Sequence, residues 1–312
     1  MPKNPHVLIL MATYNGEQFI SDQIESILNQ TYKNWKLVIH DDGSTDNTLD
    51  IINKYVEKYK DKIILIDDGI KCGGAKENFS HLIKIAKNSF DFDYIMFADQ
   101  DDVWLPEKIK ISLDVIVDLE KRYKKEIPIL VHTDLVVVDK YLNVVCESFW
   151  KYQKINPIKN SLNHLLLENT VTGSTMIINK RLLALIEYIP KEALIHDWWI
   201  ALVCAITNGI IYPLKQQTVL YRQHENNDLG AKLYSFSKLL FRFVREPKHF
   251  LVKRKLILNQ ISKICELYEG SNNFIKELNS NIKNPLKRKL FYYKNDCLGE
   301  DFLKKLGKLI FL

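Results

Sequence analysis

Asp99-Gln100-Asp101-Asp102 concentrates negative charge directly after the apolar run Tyr94 to Ala98. Carboxylates at the end of a buried strand are costly unless something neutralises them. A divalent cation does so, and Mg²⁺ or Mn²⁺ is commonly held by one or two carboxylates together with substrate phosphates. The same residues also read as a solvated acidic turn before a helix, whose N-terminus favours Asp. A second cluster, Asp41-Asp42-Gly43-Ser44-Thr45-Asp46, follows the apolar run Leu37 to Ile39. Gly43 permits a tight turn there. One of its carboxylates can accept hydrogen bonds from a nucleobase N–H or a ribose hydroxyl; the alternative is an ordinary capped loop. Thr13-Tyr14-Asn15-Gly16 forms a polar lip after the first apolar run, Val7 to Met11. Tyr14 is either a stacking surface for a base or packing at a strand end.

Further along, Tyr221-Arg222-Gln223-His224 leads into the turn-prone Asn226-Asn227-Asp228-Leu229-Gly230. Such a loop can fold over a diphosphate, with Arg222 countering charge that develops on a leaving group. His224 is a candidate metal or phosphate ligand, or a hydrogen-bonded loop histidine. Trp198 and Trp199 offer flat surfaces for a sugar ring, although one of them is expected in the core. His132 and Asp134 alternate with apolar residues in a strand-like segment and are candidates to face an acceptor.

These segments need elements to position them, and the first 140 residues supply short apolar strands alternating with amphipathic helices. After strand Val7–Met11, apolar residues recur at helical spacing from Glu17 to Gln30. A helix is predicted from near Asp46, with Ser44, Thr45 or Asp46 as its N-cap. A strand at 63–66 and a helix carrying Phe79, Leu82, Ile83 and Ala86 follow. Then come strand 94–98 and a helix with Pro106 in its first turn. Repetition of this kind implies an α/β fold, a mostly parallel sheet flanked by helices. Sites in such sheets lie beyond the carboxyl ends of the strands, where both acidic clusters fall. From Ile129 the pattern changes to strands at 129–138, 144–145 and 171–178, with one or two more around Pro213.

Taken together, the motifs resemble the family 2 inverting glycosyltransferases of the GT-A, Rossmann-like fold. The resemblance rests on the T-Y-N opening, the D-D-G-S-T-D loop, F-A-D-Q-D-D-V-W-L-P, His196-Asp197-Trp198-Trp199 and Tyr221-Arg222-Gln223-His224. It covers about residues 5–231 and is similar in particular to the rhamnosyltransferase-like branch. It implies that Thr13, Tyr14 and Asn15 line the nucleotide pocket and that Asp42 contacts the base. Asp99 and Asp101 correspond to the D-x-D pair that holds the metal, with Asp101 its more direct ligand and Asp99 also turned to the ribose or donor sugar. Asp197 matches the catalytic base, at a place where the family more often has Glu-Asp and this chain has His196 first. The chemistry asks for a carboxylate within reach of the acceptor hydroxyl; the bland alternative for Asp197 is capping of helix 198–206.

The expected activity is inverting transfer of rhamnose, or of a hexose such as glucose or galactose, from a dTDP- or UDP-linked donor. The acceptor would be a glycan, glycoprotein or lipid-linked hydroxyl, and Mn²⁺ or Mg²⁺ the cofactor. A non-catalytic nucleotide-sugar-binding or scaffold subunit is the alternative. A dehydrogenase on a similar sheet would need G-x-G-x-x-G after the first strand, and Ala12-Thr13-Tyr14-Asn15-Gly16 does not supply it.

Composition sets the remaining bounds. The chain has 312 residues and a net charge of +6, but residues 232–312 carry 18 basic and 7 acidic side chains. Residues 1–231 are thus acidic, and the division predicted is a catalytic domain at 1–231 with halves at 1–128 and 129–231. Residues 232–312 are read as a basic helical region interrupted at Pro247 and Pro285. Lys253-Arg254-Lys255 and Lys287-Arg288-Lys289 lie among apolar residues there. They either touch an anionic membrane surface or pack on the domain or a second subunit with a solvated basic face. No nucleic-acid-binding motif accompanies the charge. Five dispersed cysteines without a C-x-x-C pair suggest neither disulfides nor a cysteine zinc site. The longest apolar run, Trp198 to Ile206, is too short to span a bilayer, and cytoplasmic residence is the expectation.

Overall fold

A computed structural model describes residues 4–123, 126–225 and 247–299, together with Lys305 and Lys308. The first half contains β1 (Val7–Thr13), α1 (Ile20–Leu28), β2 (Trp35–Asp41), α2 (Thr48–Lys58), β3 (Ile63–Ile66), α3 (Ala75–Ser89) and β4 (Tyr94–Ala98). β5 (Val103–Trp104), α4 (Lys108–Tyr123), β6 (Ile129–Val138), β7 (Val144–Cys146), α5 (Phe149–Tyr152) and α6 (Leu162–Leu165) follow. Next are β8 (Met176–Asn179), α7 (Lys180–Leu185), α8 (His196–Ile206) and β9 (Ile210–Arg222). The C-terminal helices are α9 (Pro247–Leu267), α10 (Asn273–Ile282) and α11 (Pro285–Lys294).

The strands make one mixed sheet in the order β3-β2-β1-β4-β8-β6-β9-β5, with β7 on β6. β1, β2, β3 and β4 are mutually parallel, so the carboxyl ends of β2, β1 and β4 stand side by side. β8 runs antiparallel between β4 and β6. Strand alternation divides the core between two faces. Leu8, Leu10, Ile95 and Phe97 pack with α3 and α8 on one face. Val7, Ile9, Met11, Tyr94 and Met96 pack with α1 and α4 on the other.

Two expected strands take a different form. In 171–178 only Met176–Asn179 is strand, because Gly173–Thr175 winds into a 3₁₀ turn. The segment around Pro213 is one strand, whose register against β6 slips between Thr133 and Val136. Pro213 is tolerated because β5 covers only Val219 and Leu220 of β9, leaving Pro213 on an uncovered edge. The N-cap of α2 is Asn47 rather than Ser44, Thr45 or Asp46, and its own side chain makes no capping bond; the Asp46 carboxylate one residue earlier accepts from the Thr48 N–H at 3.0 Å instead.

The C-terminal helices are not an independent body. Ile257, Ile261, Ile264, Ile275, Leu278, Phe291 and Tyr292 join the same apolar cluster as α8. The Leu194 N–H donates to Gln260 Oε1 at 2.8 Å, and Asn163 Nδ2 donates to the Asn295 carbonyl at 2.9 Å. Pro285 opens α11, and Asn284 caps it by accepting from the Leu286 and Lys287 N–H groups. Arg288 turns inward to the Ile282 carbonyl, whereas Lys253, Lys255 and Lys287 are exposed beside Leu251, Val252, Leu256 and Leu286. Among the described residues no helix is long and apolar enough to cross a membrane.

Candidate active site

Parallel neighbours bring three polar loops to one edge of the sheet. After β1 the chain turns at Asn15, held at φ 46°, and after β2 it turns at Gly43, at φ 83°. The loops then tie themselves together. Thr13 Oγ1 donates to Asp41 at 2.8 Å, and the Asn15 N–H donates to Ser44 Oγ at 2.8 Å. Asn15 Oδ1 accepts from the Thr45 N–H at 2.8 Å. Gln100, from the loop after β4, accepts from the Tyr14 N–H at 2.9 Å and donates to the Tyr14 carbonyl at 2.8 Å. The Tyr14 ring, 54% exposed, stands clear of this network.

The acidic cluster after β4 meets the end of β9. His224 Nε2 lies 2.8 Å from Asp101 Oδ2, so two of the three expected metal ligands already touch. The Arg222 N–H donates to Asp102 Oδ1 at 3.2 Å. Asp102 is wholly buried, and its other oxygen has no hydrogen-bond partner among the described residues. Burial, then the charges of Asp101 and Asp99, push its carboxyl well above the usual range. Lys108, also wholly buried, is brought down to about 7 by desolvation although Asp102 opposes the shift. Crowded carboxylates with an orphaned oxygen suit a bound cation, and a carboxylate and imidazole donor set fits Mn²⁺ or a similar ion.

Asp197 forms the second centre. It sits in the first turn of α8, almost fully buried, and accepts from the Gly173 N–H at 2.8 Å and Asn169 Nδ2 at 2.9 Å. Burial still dominates and raises its carboxyl to about 7. The neighbouring Ser174 is near enough to Asp102 to offset a small part of that group's shift, although its hydroxyl has no hydrogen-bond partner among the described residues. One tight turn, Gly173–Thr175, therefore lies between the two carboxylate centres. A Cβ on Gly173 would lie 2.6 Å from His196 Nε2, which is why the turn carries glycine. His196 itself lies between Phe79 and Phe97, with ring centroids at 4.1 and 5.6 Å. Desolvation lowers it to about 3, so it is neutral and Asp197 is the titratable member of the pair at neutral pH.

Residues 8–123 match the family model for glycosyl transferase family 2. Across 273 residues, 82% of this chain and 83% of the relative, the sequence is 32% identical to the dTDP-rhamnosyl transferase RfbG of Shigella flexneri. The chain belongs to the family 2 glycosyltransferases. Its fold is that of solved GT-A glycosyltransferases. S. aureus TarS in complex with UDP-GlcNAc superposes with a TM-score of 0.53 at 16% identity, over 93% of this chain and 81% of that one. The mannosyltransferase PcManGT from Pyrobaculum calidifontis, in complex with GDP-Man and Mn²⁺, gives 0.58 at 12% identity, over 98% and 79%.

For this glycosyltransferase several expected contacts need correction. Arg222 does not reach out towards a diphosphate. It is buried, with Nε donating to the Asp101 carbonyl and Nη1 to the Lys140 carbonyl, both at 2.9 Å. Its Nη2 pairs with Asp22 at 2.7 Å, and the guanidinium lies 4.5 Å from the centre of the Phe19 ring. Asp42 is likewise committed: its carboxylate accepts from the N–H groups of Cys72, Gly73 and Gly74, clamping the loop that opens α3. Those contacts occupy most of its lone pairs, leaving little capacity for a base. Trp198 and Trp199 are both core residues, with Trp198 Nε1 spent on the Leu165 carbonyl. His132 is fully buried against Trp150 at 5.6 Å and offers nothing to an acceptor. Asp134 turns to Ser148 Oγ at 2.5 Å.

Asn169, Ser174, Gln100 and Asp22 are the site residues that motif reading passes over. Gly173 inside an apolar strand pattern was the one available signal, since such a glycine marks close approach of backbone to a neighbour. Asp22 is an ordinary surface acid of α1, and no local pattern links it to a residue 200 positions away.

Proposed function

We propose that this transferase moves a deoxyhexose of the rhamnose class from a thymidine diphosphate donor to a hydroxyl of a cell-surface glycan acceptor, inverting the anomeric carbon. Support for the donor is the likeness to RfbG across four-fifths of both chains. The observation that carries the chemistry is the buried Asp197 carboxyl, held by the Gly173 N–H and Asn169 at the turn beside the acidic cluster and raised by that burial to about 7. Such a group is matched to taking a proton near neutral pH.

In the proposed step the acceptor oxygen forms its bond to the anomeric carbon while its proton passes to the Asp197 carboxylate. The bond from that carbon to the β-phosphate oxygen breaks, and its electron pair leaves with the nucleoside diphosphate on the opposite face. Asp99, Asp101 and His224 would hold a divalent cation, which supplies positive charge to the diphosphate. Thr13, Asn15 and the Tyr14 ring form the nucleotide lip. Arg222 acts one layer back, fixing the Asp101 turn through its carbonyl. Asp42 shapes the pocket by holding the 72–74 loop.

Thermal shifts with thymidine and uridine diphosphate, with and without Mn²⁺, test the donor assignment. A ligand at 100 times its dissociation constant adds about 2.7 kcal/mol of stability. The expected result is a manganese-dependent shift, larger for thymidine diphosphate, that disappears in Asp101→Asn. A larger shift with uridine diphosphate overturns the donor; a shift that persists in Asp101→Asn overturns the metal site.

A further inference from the structure

A second cluster of metal-ligating side chains lies where the end of β2 meets the β3–α3 connection and α3, and the chemistry above uses none of it. His40 is the penultimate residue of β2, Asp68 follows β3, and His81 lies on α3. One ligand atom from each lies within 4.8 Å of the others.

The Asn78 side chain settles which nitrogen of His40 carries the proton. Its Nδ2 donates to the His40 carbonyl at 3.0 Å, because a carbonyl can only accept. Asn78 Oδ1 must then face His40 Nδ1, 2.8 Å away, and accept from it. In neutral His40 the proton is thus on Nδ1, and Nε2 presents a bare lone pair to Asp68 Oδ1 at 3.4 Å. Two acceptors face each other, an arrangement a cation between them relieves. The other Asp68 oxygen lies 2.7 Å from His81 Nε2.

We propose that His40, Asp68 and His81 form a binding site for a borderline divalent cation of the zinc class, separate from the Asp99–Asp101 cluster. Bonds of about 2.1 Å in tetrahedral geometry place neighbouring ligand atoms roughly 3.4 Å apart, the separation between His40 Nε2 and Asp68 Oδ1. Two imidazoles and one carboxylate favour zinc over magnesium or calcium, which prefer all-oxygen sets. Asn78 supplies the outer hydrogen bond that commonly orients a ligating histidine. His40 is buried whereas Asp68 is 31% exposed, so the ion enters from solvent and keeps a water as its fourth ligand. Asp68 belongs to the same connection whose 72–74 N–H groups clamp Asp42. The ion would therefore give that loop a second tie to β2, beside the proposed nucleotide pocket.

The test is calorimetric titration of the full chain with Zn²⁺, and with Co²⁺ read by visible absorption. It is run on the wild type, Asp101→Asn, His81→Gln and Asp68→Asn. Up to two ions per chain are expected in the wild type, one of them at the Asp99–Asp101–His224 cluster, and one in Asp101→Asn, which keeps the tetrahedral Co²⁺ bands. Affinity should fall by at least ~10–100-fold in His81→Gln, a side chain only 16% exposed, so circular dichroism checks that the variant keeps its fold. If His81→Gln fails to fold, Asp68→Asn carries the same comparison. Absence of Zn²⁺ binding in Asp101→Asn, or unchanged binding in His81→Gln and Asp68→Asn, overturns the site. Because the donor assignment is read from nucleotide shifts with Mn²⁺, each proposal fails independently of the other.

Discussion

Replacing Asp197 with Asn should make the enzyme more stable and nearly inactive, and both effects follow from the same burial. The carboxyl rises from 3.8 in the unfolded chain to about 7 in the folded one. Below pH 4 it is neutral in both states and costs nothing. Between pH 4 and 7 the unfolded chain releases the proton while the folded chain keeps it, so stability falls as pH rises. Above 7 the penalty is constant, at about 4 kcal/mol for a shift of this size. Asn is never charged and escapes it. One loss offsets part of the gain: with the amide oxygen on the Gly173 N–H, the amide nitrogen faces Asn169 Nδ2, and a hydrogen bond of about 1 kcal/mol disappears. The net expectation at pH 8 is about 3 kcal/mol, or roughly 4–5 °C in melting temperature for a chain of this length. At pH 4 the variant should melt no higher than the wild type.

Transfer should meanwhile drop by ~10²–10⁴-fold, the usual contribution of a general base. Nucleotide binding should persist. Wild-type turnover should decline as pH falls through about 7, where Asp197 takes up its proton. Melting curves from pH 4 to 8, paired with release of nucleoside diphosphate from a sugar donor, measure both. Equal pH dependence of stability in the two proteins would refute the burial argument. Retention of more than about a tenth of wild-type transfer would refute the base.

Arg222→Lys should cost about 3 kcal/mol or more in urea unfolding, because an ammonium cannot serve Asp101, Lys140 and Asp22 from one buried position. Activity should fall with it through the displaced Asp101 turn, and a loss under 1 kcal/mol contradicts the inward role assigned to this guanidinium. Lys253→Glu, Lys255→Glu and Lys287→Glu together should release the protein from anionic vesicles in co-sedimentation while leaving its melting temperature within about 2 °C. The exposed lysines beside Leu251, Val252 and Leu286 motivate that expectation; equal partitioning of variant and wild type argues for a merely solvated basic face.

The alternation of strand and helix, and the placing of Thr13, Asp41, Asp99 and Asp101 at strand ends, were legible in the sequence because they depend on local periodicity. The side-chain period of two exposes which residues a strand buries, and parallel βαβ units dictate that successive loops share one edge. The break in the helical region at Pro285, where α11 opens, is a local effect of the same kind. The 3₁₀ turn at Gly173–Thr175 was not legible. Its apolar surroundings read as continuous strand, and the groups that bend it, Asp197 and His196, come from a helix more than twenty residues later.

Residue type and order alone therefore determined the family, the sheet and the acidic cluster. Tertiary structure decided which polar side chains are available to a ligand. An arginine in a Y-R-Q-H loop looks ready for a phosphate until Asp22 and two carbonyls arrive from distant segments to satisfy it. Paired tryptophans look ready for a sugar until α8 proves to be buried on every side. Hydrogen-bond capacity and solvent exposure belong to the packed neighbourhood, and chain segments far apart in sequence assemble that neighbourhood.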